Sequence, residues 1–193
     1  GIFTKSDPDS DSPALAGAVE ELKGVLQAQE DAIHRTQVPM RVVLANAGEH
    51  MKHAVPAAER IVKLAKHDDS VVGIAGLGQS KRTTYQAVDI LDKAGLPMVG
   101  STTSSVQLSR DSKLFYQVSP LNKREAAVVA HYARTRLGTD QLAVYYDSDD
   151  AYSDSLARKV KEEMPGAALI EYGPETGYPD PNSAAKRACK ERK

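Results

Sequence analysis

Neither positive nor negative charge predominates: 25 Lys and Arg stand against 26 Asp and Glu. The resulting net charge of −1 gives neither a polyanion nor an anionic membrane surface anything to hold, so nucleic acid is not expected as a partner. Cysteine is nearly absent. Cys189 alone can make no internal disulfide, and one thiol outside a paired motif offers no metal site. No run approaches the roughly 18 apolar residues that cross a bilayer, and no basic start followed by an apolar core marks a signal peptide. The chain opens abruptly on Gly1-Ile2-Phe3, the pattern of a strand end, so upstream sequence is expected.

What remains is an ordinary globular composition, 41% hydrophobic and 26% charged over 193 residues. After the polar loop SDPDSDSP, apolar Leu15, Val19, Leu22, Leu26 and Ile33 recur at helical spacing, predicting a helix from Ala14 to about Arg35 that packs by one stripe. Short β-branched runs then alternate with helices. Strands are expected at 40–45, 71–75, 98–99, 114–118, 142–146 and 167–172. Helices are expected at 55–66, 81–94, 123–137, 152–164 and 182–192, with Gly95 as a C-cap. Strands separated by helices imply an α/β fold, a doubly wound, mostly parallel sheet with helices on both faces.

Ligands of such sheets bind beyond the carboxyl ends of the strands, where unpaired helix N–H groups collect. Four loops qualify by position: NAGEHM, GLGQSKR, GSTTSS and YDSDDAY. The third is unusual, with five consecutive hydroxyl side chains, Ser101 to Ser105, following the apolar Pro97-Met98-Val99.

Several chemistries are disfavoured. Gly73, Gly76 and Gly78 superficially suggest a dinucleotide turn, but the next strand ends in Val99-Gly100-Ser101 without the acid that takes ribose hydroxyls, so tight turns explain them and no cofactor is expected. His50 and His53 lack an obvious third metal ligand. No G-x-S-x-G elbow supports a serine nucleophile, and an enzyme is not expected. The cluster Asp147, Asp149, Asp150 and Asp154 is better explained by negative charge at a helix N-terminus than by a bound cation. The basic run from Lys186 to Lys193 reads as the solvated end of a helix.

Taken together, VVGIAGLGQS, AVDILDKAGLPMVGSTTSSVQLS, LFYQVSP and LAVYYDSDDAYSDSLARKVKEEM resemble the type I periplasmic-binding-protein fold, in particular the branched-chain-amino-acid (Leu/Ile/Val) receptor type of extracellular ligand-binding domain. The likeness lies in order and spacing from about Ala14 to Arg192. It implies two α/β lobes, here residues 1–120 and a partial second lobe over 121–193, in a chain that looks truncated. It also implies a non-catalytic solute-binding or sensory function, with a small polar, amino-acid-like ligand held in the cleft between lobes.

The resemblance carries ligand-binding roles to Ser80 after the third strand, to Thr103 and Ser104 after the fourth, and to Tyr152 as an aromatic lid. Ser101, Thr102 and Ser105 are expected to serve as turn and cap residues. Two departures stand out: Ser153 replaces the family's usual glycine, and Lys81 and Arg82 follow Ser80 where small residues are common, either favouring an anionic ligand or decorating an exposed face. An extracytoplasmic location and a membrane transporter or signalling partner follow from the same resemblance, with the oligomeric state left open. The alternative class is the effector-sensing domain of a transcription regulator, which shares this fold, and behind it an α/β enzyme.

Overall fold

The computed structural model describes residues 2–3, 13–173, 176–177 and 180–191. Every strand pair in it is parallel. β1 (Ile2–Phe3) pairs with β2 (Ala45–Asn46), and β3 (Ile74–Gly76), β4 (Met98–Gly100) and β5 (Phe115–Gln117) form a second ladder. β6 (Ala143–Tyr146) pairs with β7 (Ala168–Glu171). Because β1 also runs beside β3, the first five strands follow the order β2-β1-β3-β4-β5, which reverses between β1 and β3. That reversal is the switch point at which open α/β sheets leave a crevice at their carboxyl edge.

The chain divides into two compact units, residues 1–103 with 107–119, and residues 104–106 with 120–193. In the first unit, α2 (Ala54–Ala65) and α3 (Arg82–Lys93) pack on each other and on the ladder. α3 buries Thr84, Ala87, Val88 and Leu91, an i, i+3, i+4, i+7 stripe. Ile74, Met98 and Phe115 form one cross-strand row and meet that stripe in the core. α3 ends at Lys93 with Ala94 as its C-cap, and Gly95, which the sequence suggested for that role, follows one position later at φ 73° with its N–H bonded to the Asp92 carbonyl.

In the second unit, α5 (Asn122–Arg136) buries Asn122, Ala126, Ala130 and Ala133. These small residues repeat nearly every turn, so α5 can lie close against α6 (Ala151–Glu163). Ala130 and Ala133 share a cluster with Met164 and Ala167, which Leu142 and Val144 of the β6 segment pack against. α7 (Pro181–Glu191) packs near β6 in the same unit.

Four expectations need correction. The strand expected at 40–45 is shorter: ladder pairing begins at Ala45, opposite Ile2, and Met40, Val43 and Leu44 are exposed. β3 begins at Ile74 rather than residue 71, because the Ile74 N–H is the first to find a carbonyl of the next strand segment, that of Pro97. The loop after Ser105 contains a helix that apolar periodicity is too short to reveal, α4 (Val106–Asp111). Finally, the stripe of α1 (Pro13–Thr36) is covered only in part, with Leu22 and Val25 half-buried and Val19, Leu26 and Ile33 exposed.

Candidate functional site

The first unit carries two hydroxyls at the carboxyl ends of neighbouring parallel strands. After β3 the chain turns through Gly76 at φ 119° and Leu77 at φ 63°, with the Leu77 side chain fully buried in the core. Left-handed backbone at a leucine is strained, and packing is what holds it there. The turn delivers Gln79 and Ser80 to the start of α3. There the buried Thr84 hydroxyl donates to the Gln79 carbonyl at 2.5 Å and accepts from the Lys81 N–H at 3.3 Å, returning the bond of a capping box. The loop is thus fixed by Thr84, and Ser80 is left over. Its Oγ is buried without a hydrogen-bond partner among the described residues, as is Oε1 of Gln79.

After β4 the hydroxyl run divides its labour. The Ser101 hydroxyl donates to Glu21 and that of Thr102 to the Gly78 carbonyl, tying this loop to α1 and to the loop after β3. Thr103 is fully buried and held by its backbone: its carbonyl accepts from Gln117 Nε2 at 2.8 Å and from the Ser119 hydroxyl. Its Oγ1 has no partner among the described residues. The hydroxyl sits against Gly100, where an added Cβ would run into it and into Phe115 Cζ at 2.6 Å, so only glycine leaves it room. A buried hydroxyl without a hydrogen bond costs about 1–3 kcal/mol, so two of them after neighbouring strands are a sizeable cost to the fold.

Ser104 and Tyr152 belong to the second unit. Ser104 is buried, and its carbonyl accepts the Asn122 N–H at the start of α5, at 2.9 Å. Tyr152 is the second residue of α6, where Asp150 Oδ1 accepts both its N–H and that of Ser153 at 3.0 Å. The acidic cluster therefore contains a helix cap. The neighbouring Asp147 carboxylate accepts the Asp149 N–H, and Ser153, the departure from glycine, uses its Oγ to accept the Asp147 N–H at 3.0 Å.

The Tyr152 ring is 42% exposed, and its hydroxyl donates to Glu125 Oε2 at 3.3 Å. Burial, and then the Glu125 carboxylate, raise its pKa above the ordinary phenol value. From the other side Asn122 Nδ2 reaches the Tyr152 carbonyl at 3.4 Å. Asn122 and Glu125 were not singled out in the sequence, where nothing announces a contact across 27 residues. Of the two bases after Ser80, Lys81 is the N-cap residue of α3 and Arg82 is exposed.

Elsewhere, the His50 side chain lies 3.6 Å from Glu49, and no group of three or more His, Cys, Asp or Glu among the described residues could hold a metal. No helix among the described residues is long and apolar enough to cross a membrane. The Cys189 side chain and the end of the basic run lie outside the described residues.

Parallel strands joined by helices recur in both units, and the solved structures that match them share the type I periplasmic-binding fold. The chain has the fold of the substrate-binding proteins of ABC transporters. A leucine-binding protein from Thermotoga maritima matches 98% of this chain with a TM-score of 0.75 at 18% identity. A branched-chain amino-acid transporter substrate-binding protein from Streptococcus pneumoniae, solved with isoleucine, matches 96% with a TM-score of 0.67 at 18% identity. A solute-binding protein from Rhodopseudomonas palustris, solved with 3,4-dihydroxybenzoic acid, matches 88% with a TM-score of 0.63 at 16% identity. This chain spans about half of each, 52%, 51% and 44% respectively. No family model and no curated protein matches the sequence, so the likeness is one of fold.

Proposed function

We propose that this chain is part of a non-catalytic, extracytoplasmic solute-binding protein that captures a small polar, amino-acid-like ligand and presents it to a membrane transporter or signalling partner. The observation that carries the reading is the pair of buried hydroxyls of Ser80 and Thr103, which have no hydrogen-bond partner among the described residues and follow the carboxyl ends of β3 and β4. A carboxylate gives such donors the acceptor they lack, and the N-terminus of α3 beside Ser80 adds backbone N–H groups and a favourable dipole. Ser104 and Tyr152 of the second unit are the further proposed contacts, the tyrosine offering the flat apolar face of its ring. Neither a nucleophile nor a general base is needed for capture. The solved neighbours include proteins with isoleucine and with 3,4-dihydroxybenzoic acid bound, which supports a carboxylate as the shared feature.

Isothermal titration with leucine, isoleucine, polar amino acids and 3,4-dihydroxybenzoate tests the proposal. Binding of one of these, weakened by about 2–4 kcal/mol when Ser80 and Ser104 are both replaced by alanine, is the expected outcome. Silence with the whole panel, or binding that the double replacement leaves intact, refutes it.

A further inference from the structure

We infer that the first turn of α5 is the device that positions Tyr152, with Glu125 anchoring the ring at its hydroxyl and Asn122 anchoring the backbone from which the ring projects. The value of that positioning to ligand capture rests on the solute-binding reading above. The geometry itself does not.

Tyr152 stands at the very start of α6, where its own helix constrains it little. Asp150 fixes the Tyr152 N–H, but a cap sets where the backbone begins and leaves the ring free to rotate. Two groups from α5 remove that freedom. Glu125 accepts the phenol proton at 3.3 Å and is half-buried, so its carboxylate is partly shielded from water. Asn122 is wholly buried, fixed by its N–H bond to the Ser104 carbonyl, and its amide nitrogen faces the Tyr152 carbonyl at 3.4 Å. One turn of helix therefore touches Tyr152 at both ends.

The two anchors are unequal. A phenol bonded to a carboxylate is charge-assisted and directional, whereas the 3.4 Å amide contact lies near the limit of a hydrogen bond. Glu125 is accordingly the dominant positioning residue. It also marks the Tyr152 hydroxyl as a donor already in use, leaving the ring face as the surface on offer. Contacts also run from Ser104 through Asn122 to Tyr152, so two proposed ligand contacts of the second unit share one support.

The test reads the ring without any ligand. With ¹³C-labelled tyrosine, the Tyr152 signal is assigned by Tyr152→Phe and titrated in the parent protein, in Glu125→Gln and in Glu125→Ala. Glu125 and Asp150 are the carboxylates acting on this phenol, and Asp150 is unchanged in all three. The expected result is a Tyr152 midpoint displaced downward in both variants. Affinity for whichever panel compound binds falls about tenfold in Glu125→Ala and less than about threefold in Glu125→Gln, which keeps an acceptor for the phenol. An unmoved midpoint in Glu125→Ala overturns the anchor. A moved midpoint with unchanged affinity overturns its role in recognition. If no compound binds the parent protein, the solute-binding reading falls, and the titration still decides whether Glu125 holds the ring.

Discussion

Replacing Thr103 by valine should stabilise the unliganded protein. Valine keeps the shape of threonine while removing Oγ1, the atom that is fully buried and lacks a partner among the described residues. An unmet buried hydroxyl costs about 1–3 kcal/mol, and imperfect fit of the methyl beside Gly100 and Phe115 takes back part of the gain. A net gain of about 1–2 kcal/mol is expected. With a urea slope of about 2 kcal/mol/M, that moves the midpoint upward by about 0.5–1 M. Circular dichroism can follow the transition, since the chain has no tryptophan. The same variant should lose ligand affinity by about tenfold, the pattern of a group kept for binding at the expense of the fold. A midpoint that drops by the equivalent of about 1 kcal/mol would show instead that the hydroxyl is an ordinary cap or turn residue.

Other changes are as specific. Gly100→Ala forces a methyl against Thr103 and Phe115 and should cost about 1–3 kcal/mol by thermal or urea unfolding, whereas Gly78→Ala, with open space around it, should not show that clash. Asp150→Ala removes the cap of α6 and should cost about 1 kcal/mol, with Asp150→Asn retaining most of it. Tyr146 and Tyr152 both have pKa values raised by burial first and then by a carboxylate, Glu171 and Glu125 respectively. Their contribution to stability is fully present below the unfolded-state value of about 10 and is lost as pH rises through the higher folded values, so unfolding midpoints should fall as pH rises above about 10. Tyr152→Phe should flatten that fall.

Helices were legible where a stripe is long enough to count. The repeat Thr84, Ala87, Val88, Leu91 and the glycine at 95 specify α3 with little ambiguity. Strands were less so, because each pairs over only two to four residues, and a partner edge decides whether a β-branched run becomes a strand. Residues 40–44 have the composition, yet ladder pairing is seen only from Ala45, opposite Ile2. α4 has too few residues for periodicity to show. At the site, strand ends and loop chemistry could be read, and so could the capping explanation of the acidic cluster, which Asp150 bears out. Which hydroxyls are satisfied could not. Five adjacent hydroxyls look alike in sequence, but Ser101 and Thr102 reach Glu21 and Gly78 while Thr103 points its Oγ1 at a glycine. That difference depends on contacts between distant segments.

The grouping of residues 104–106 with the second unit bears on how the chain can be cut. A gene fragment starting at residue 120 would encode α5, α6 and their strands, yet omit the Ser104 carbonyl that receives the Asn122 amide. The polypeptide passes from one unit to the other after residues 103, 106 and 119, so neither half is a contiguous module. Splitting or swapping the halves therefore calls for moving the short 104–106 segment along with residues 120–193.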